Sequence, residues 1–134
     1  MKDTILDLFG QGGTLIQELK TTLKELIDLL PAPGPNIVEV MAYSDAIEYF
    51  VRNAPADLHV SKGVMLRQSH PRGYLFIQVF LDSQNNLLRK TGREDRRGQT
   101  DKTNGKLYGR RLIVEQFDRE LSDLFGDKDL ILVE

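Results

Sequence analysis

The first regular pattern along the chain is an amphipathic one over residues 14–30. Apolar residues recur there at intervals of three and four, and charged residues occupy the remaining positions, which is the spacing of a helix with one apolar face. Thr14 suits the N-cap position. The proline-rich residues 31–36 cannot continue a helix. The pattern therefore predicts an N-terminal helical segment within residues 1–30, followed by a stiff connector.

Shorter apolar runs then predict the elements of a sheet. Residues 37–41 have the composition of a strand. Asp45 and Glu48 have the spacing of a capping box, so a short helix is expected to start at Asp45 and to end before Pro55.

The central part of the chain predicts two paired strands. Residues 64–68 and 74–81 are apolar runs, and the sequence His-Pro-Arg-Gly at 70–73 fits a type I turn between them. The second run is almost continuously apolar, which is typical of a strand that is covered on both faces. Residues 87–88 are expected to begin a third strand.

The last part of the chain predicts one more helix and one more strand. Residues 108–125 are expected to be helical because their apolar residues have helical spacing, at Leu112, Ile113, Phe117, Leu121, Leu124 and Phe125. Glu115 and Arg119 would form an i,i+4 ion pair on that helix. Gly126 suits the position after a helix, and residues 130–133 are the last apolar run.

This order of elements predicts a single α+β (or α/β) domain over residues 1–134. We expect a four- to five-stranded mixed sheet packed with about three helices, because each predicted helix has one apolar face to cover. In this interpretation residues 1–30 and the connector 31–36 precede a sheet-centred body, residues 37–134, which carries a basic insertion at 89–106.

Composition narrows the possible classes of protein. The chain has 134 residues and no cysteine, which excludes a disulfide framework, a thiolate zinc site and a thiol nucleophile. None of its apolar runs approaches the length that spans a membrane. A cytoplasmic protein with no membrane contact is the expectation.

Charge is distributed unevenly. Residues 89–111 hold nine Lys/Arg against three Asp/Glu, whereas the whole chain has a net charge of −2. A polar, glycine-containing basic segment in an acidic body predicts a mobile loop near residues 90–106 and an anionic partner. The predicted contact residues are Arg89, Lys90, Arg93, Arg96, Arg97, Lys102, Lys106, Arg110 and Arg111.

Reactive chemistry is sparse in the sequence. His59 and His70 are the two histidines, and Asp57 would share one strand face with His59, as in an acid–base pair or two metal ligands. Residues 10–13 are rich in glycine before a helix, but they lack the lysine and hydroxyl of a phosphate-binding loop. No catalytic residue, metal or cofactor is predicted.

The favoured hypothesis is a non-catalytic interaction or regulatory (accessory) module that binds an acidic protein partner. One alternative is a nucleic-acid-binding accessory protein that uses the basic segment; another is a small enzyme with a site around His59 and His70. The N-terminal helix is expected to pack on the sheet. It could instead pair with a partner helix or a second copy of the chain, through Leu15, Leu19, Leu26 and Leu30.

Overall fold

The structure is a computed structural model that describes residues 12–30, 37–55, 59–89 and 107–133. Within these ranges the chain forms three α-helices and five strands. The helices are α1 (Gly12–Leu26, continued by a 3₁₀ turn, Ile27–Leu29), α2 (Tyr43–Asn53) and α3 (Arg119–Phe125). The strands are β1 (Val38–Met41), β2 (Lys62–His70), β3 (Gly73–Leu81), β4 (Gly109–Phe117) and β5 (Leu130–Val133).

The strands form one mixed sheet in the order β1-β4-β3-β2-β5. β1 is parallel to β4, and every other neighbouring pair is antiparallel. The predicted α+β domain with a four- to five-stranded mixed sheet and about three helices is confirmed. None of the helices in the described ranges is long and apolar enough to cross a membrane.

Helices cover both faces of the sheet. On β3, Phe76 and Phe80 point into a cluster with α2 and α3, and the alternate residues Ile77 and Val79 point into a second cluster with α1. All four side chains are at most 1% exposed. The continuous apolar run in the sequence is explained by this two-sided burial, because a strand with two covered faces loses its polar alternation.

The predicted element at residues 108–125 is wrong over its first half. Residues 109–117 form β4, which pairs with β3 on one side and with β1 on the other. Its apolar residues Leu112, Ile113, Val114 and Phe117 also satisfy helical spacing, although only Val114 among them is fully buried. Glu115 lies on this strand, so the expected pair with Arg119 does not form; Arg119 instead lies near Asp123, at 3.9 Å.

Three smaller predictions are also corrected. The first helix begins at Gly12, so Thr14 lies inside it rather than at its N-cap. The second helix begins at Tyr43 with Ala42 as its N-cap, so Asp45 lies in the first turn. Residues 87–88 do not form a regular strand; the chain makes only isolated bridges here, at Leu87 and at Arg89.

The starts of α2 and α3 are held by one carboxylate, that of Asp118. Its Oδ1 accepts a hydrogen bond from the N–H of Leu121 (2.8 Å), which caps α3, and its Oδ2 accepts one from the N–H of Tyr43 (3.0 Å), the first residue of α2. The first N–H groups of a helix have no partner inside the helix. One side chain therefore supplies partners to two helices and fixes their starts side by side.

Candidate partner-binding site

The connection from β3 to β4 carries the basic segment, and it begins with a compact turn. The Asp82 carboxylate accepts hydrogen bonds from the N–H groups of Gln84 and Asn86, each at 2.9 Å. These bonds, that of Asn86 above all, lower the pKa of the Asp82 carboxyl below its ordinary value of 3.8. Asn85 adopts a left-handed conformation (φ 64°) and accepts a hydrogen bond from the Lys62 ammonium group. The turn thus leads the chain out of β3 in a defined direction.

The two ends of the basic segment are joined to each other and to the body. Arg89 and Leu107 form an antiparallel bridge. Leu88 donates its N–H to the Phe80 carbonyl (3.0 Å) and accepts from the N–H of Tyr108 (3.1 Å), while the Leu107 N–H donates to the Leu29 carbonyl (3.1 Å). The residues on either side of 90–106 therefore lie next to each other on the body.

Buried side chains also hold the two ends of the segment, here called its base (residues 88–89 and 107–108). Leu88 is 9% exposed and packs in the cluster with α2 and α3, whereas Leu107 is 1% exposed and packs in the cluster with α1. The segment is thus anchored through both halves of the core. Gly109, at the return into β4, has φ +153°, and a Cβ there would lie 2.2 Å from the Gln78 carbonyl oxygen, so only glycine fits.

An open cleft of about 310 Å³ lies beside the base. Its walls come from α1 (Glu18, Leu19 and Thr22) and from the chain between the turn and the segment. Arg89, which is exposed, stands at its rim. The other predicted contact residues of the segment lie outside the described residues: Lys90, Arg93, Arg96, Arg97, Lys102 and Lys106.

Arg110 has a different environment from the one expected of a surface cation. It lies on β4, where its Nε donates to the Gln78 side-chain oxygen at 2.7 Å and its guanidinium stacks over the Tyr49 ring at 4.1 Å. Gln78, which is fully buried, donates in turn to the Ala46 carbonyl at 2.8 Å. These contacts tie α2 to the sheet. A partner contact for Arg110 stays a prediction, and its placement favours a role inside the fold.

Burial shifts the proton affinities of this cluster. It lowers the pKa of the Arg110 guanidinium, against the opposing attraction of Tyr49 and Asp45. It raises the pKa of the Tyr49 phenol, against the attraction of Arg110. An arginine stays charged despite such a shift, and Tyr49 stays neutral near pH 7. In this cluster the charged Arg110 side chain therefore contacts two neutral groups, the Tyr49 ring and the Gln78 amide.

Arg111 points to the opposite face of the sheet. Its Nη1 lies 3.9 Å from the Asp28 carboxylate, and its side chain is only 18% exposed. The pair joins β4 to the 3₁₀ turn after α1. The described contact of Arg111 is thus within the fold. A partner contact for this residue likewise stays a prediction.

The leucines of the N-terminal helix lie in the core. Leu19 and Leu30 are 5% and 2% exposed, and Leu26 packs beside them, partly buried. Their burial favours packing on the sheet, as expected, and leaves them little surface for a partner helix. The side chain of Leu15 lies outside the described part of the structure.

The two histidines are not brought together. His59 precedes β2 and His70 ends it, and a strand of nine residues is about 27 Å long. His70 accepts a hydrogen bond from the Arg72 N–H (3.1 Å) within the hairpin turn, and His59 is exposed. In the described ranges no group of three or more His, Cys, Asp or Glu residues could hold a metal ion. Asp57 lies outside those ranges.

Comparison of the chain with protein-family models, with curated proteins and with solved structures finds no match. The function is therefore argued from the geometry. Sequence reasoning missed two sets of residues, namely the buried Gln78 with its partners and the cations around Arg67. A glutamine in the middle of an apolar run was the available signal for the first set, because a buried amide needs partners.

Proposed function

We propose that this chain is a non-catalytic interaction module that presents the basic segment, residues 89–106, to an acidic surface of a protein partner. The observation that carries this proposal is the base of the segment. The bridge between Arg89 and Leu107, with Leu88 and Leu107 buried beside it, gives the segment a fixed origin on the body. A charged segment whose two ends are fixed has a defined position on the surface of the protein, whereas a segment at a free chain end does not.

Charge supports an acidic partner. Residues 89–106 contain seven Lys/Arg against three Asp/Glu, and the rest of the chain contains eleven against seventeen. The body would repel an acidic surface that the segment attracts, so attraction is confined to one part of the molecule. Residues 90–106 include no apolar side chain, so contacts there must be polar and sensitive to salt.

The proposal is tested by measuring binding of the full chain to polyglutamate, as an acidic polypeptide, and to a single-stranded DNA oligonucleotide of equal charge. Replacing Arg93, Arg96 and Arg97 by serine should weaken polyglutamate binding by roughly threefold to a hundredfold, from about 0.2–1 kcal/mol for each exposed ion pair. The salt dependence of binding should also become shallower. The thermal unfolding midpoint should hardly change, because residues 90–106 have no apolar side chain to contribute to a core.

A matched control removes the same charge elsewhere. Arg52, Arg72 and Arg119 are exposed residues of the body, and their replacement by serine should leave polyglutamate binding nearly unchanged. Equal loss in both triple variants would show that overall charge, not the segment, determines binding, and would reject the proposal. Binding to the oligonucleotide alone would favour the nucleic-acid hypothesis.

A further inference from the structure

A second cationic surface lies on the other flank of α1 from the cleft beside the segment. Lys20 and Lys24 project there, whereas Glu18 and Thr22 line the first cleft; positions two residues apart on a helix differ by about 200°. The surface is an open groove of about 430 Å³ between α1 and the end of β2. Its other polar residues include Arg67, Ser69 and Asp129.

Arg67 is fixed in this groove by contacts on two sides. Its Nη2 donates to the Gly126 carbonyl at 3.0 Å. Its guanidinium lies over the rings of Phe125, at 4.6 Å, and Tyr74, at 5.7 Å. The side chain is only 14% exposed. A guanidinium held in this way loses little entropy when it binds an anion.

The carboxylate of Asp129 sits between two of the cations without close contact to either. One oxygen lies 3.7 Å from the Lys20 ammonium nitrogen, and the other lies 3.9 Å from Nε of Arg67. Direct charge-assisted hydrogen bonds are shorter, about 2.7–2.9 Å. The residues that line the groove include the cations Lys20, Lys24 and Arg67 and the single carboxylate of Asp129, so the lining has a net charge of about +2.

The edge of the sheet adds a backbone donor. The Arg67 N–H points outward, since it donates to the Asp129 carbonyl at 2.9 Å. N–H groups alternate in direction along a strand, so the Ser69 N–H points to the same side. β5 pairs with β2 only from Gly63 to Leu66. No backbone partner for the Ser69 N–H is found among the described residues, and its side chain is exposed.

We propose that this groove binds a phosphate dianion, the free ion or the phosphate group of a monoester. Lysine, arginine and serine side chains and backbone N–H groups are the donors that phosphates use in proteins. A phosphate monoester carries about −1.5 to −2 charge near pH 7 and three acceptor oxygens, which matches the net charge and the donors that Lys20, Arg67 and Ser69 supply. A ligand with a single carboxylate would neutralise only half of the net positive charge of the groove. The groove consists of described residues alone and does not depend on the basic segment.

Amide NMR of the ¹⁵N-labelled full chain, at constant ionic strength, measures this binding. Inorganic phosphate should produce saturable shifts centred on Ser69 and Gly126. A titration with phosphoserine measures binding of a phosphate monoester, and serine is the control without a phosphate group. Tighter binding of phosphoserine than of inorganic phosphate would assign the groove to esters, and equal binding would assign it to the free ion. Absence of saturable shifts with either would overturn the proposal.

Variants of the groove should change phosphate affinity in opposite directions, which distinguishes binding in the groove from a general attraction of phosphate to positive charge. Changing Lys20 and Lys24 to Gln should weaken phosphate binding roughly tenfold, through loss of two charge-assisted contacts. Changing Arg52 and Arg119 to Gln removes the same charge from exposed sites elsewhere and should alter affinity less than twofold.

Asp129→Asn should instead tighten phosphate binding severalfold, because it removes the one negative charge in the groove. Wild-type affinity should fall as the pH decreases through about 6, where the monoester loses its second charge. Equal weakening by the two double variants, or weaker binding after Asp129→Asn, would overturn the proposal.

Discussion

The two faces of the sheet are packed by different kinds of side chain. The face under α2 and α3 is aromatic, with Phe50, Phe76, Phe80 and Phe125 all at most 1% exposed. The face under α1 contains only buried leucine, isoleucine and valine among the described residues. Ring pairs have preferred geometry, as in the edge-to-face contact of Phe50 with Phe80 at 5.5 Å and 84°. Aliphatic contacts have no such direction.

Polar contacts follow the same division. On the aromatic face a fully buried Gln78 links Arg110 of the sheet to the Ala46 carbonyl of α2, and Asp118 holds the starts of α2 and α3. On the aliphatic face the polar contacts lie at the rim, as in Arg111 with Asp28. The comparison indicates that directional contacts set the position of α2, whereas α1 is held mainly by burial, with polar contacts only at its rim.

The largest expected effect compares truncations under the two faces. Phe50 and Leu23 are both fully buried on helices that cover opposite faces. Phe50→Ala should lower the free energy of unfolding by about 3–5 kcal/mol, and Leu23→Ala by about 2–5 kcal/mol. We expect the larger loss for Phe50→Ala, because only this variant also loses ring contacts. Urea unfolding at pH 7 measures both. A larger loss for Leu23→Ala would contradict the division of the core.

The next effect concerns the shared cap. Asp118→Ala removes hydrogen-bond acceptors from two helices of the aromatic face, so we expect a loss of about 2 kcal/mol, about 1 for each helix. Asp123→Ala is the control, since that exposed residue forms only a long surface pair with Arg119 and should cost less than about 0.5 kcal/mol. Similar losses in both variants would mean that the cap does not fix α2 and α3.

A smaller effect tests the buried amide. Gln78→Leu leaves the Arg110 Nε and the Ala46 carbonyl without their partner and should cost about 1–2 kcal/mol. Arg110→Met should cost a similar amount. If the residues act as one unit, the double variant should lose less than the sum of the single losses. Additive losses would mean that the contact does not couple α2 to the sheet.

The smallest effect lies in the Asp82 turn, outside both faces. The pKa of Asp82 is lowered in the folded chain, so its contribution to stability is present above the unfolded pKa, about 3.8, and is lost as the pH falls through the lower folded value. Asp82→Asn keeps an acceptor oxygen but does not titrate. Its stability should be close to that of the wild type at pH 7 and should decline less steeply below about pH 4. Parallel profiles in acid would contradict this role.

Much of the fold could be predicted because each clear pattern had one physical meaning. The continuous apolar run at 74–81 required a doubly covered strand, and β3 is that strand. Residues 109–117 were misread because the consecutive Leu112, Ile113 and Val114 with Phe117 lack strict alternation, and their spacing also fits a helix. The start of a helix at Asp118 was the missed signal, since aspartate is a strong N-cap residue.

The candidate site was less accessible to sequence reasoning. Net charge identified the basic segment, but it did not distinguish exposed Arg89 from Arg110, which is half-buried on β4. That distinction depends on register, because Arg110 meets Gln78, 32 residues away, only when β3 and β4 are paired. The groove around Arg67 likewise combines residues from α1 and β2 with Asp129, which precedes β5, and no local pattern connects them.

The bridge between Arg89 and Leu107 also closes the fold without any contribution from the residues between them. Because the two ends already lie about 5 Å apart, the body needs the intervening residues only to close a loop. Doubling the length of a flexible loop costs only about 0.6 kcal/mol. Segments of other length and charge could therefore be exchanged at this position while the sheet stays the same. Under the proposed function, such an exchange would change the partner without a change of fold.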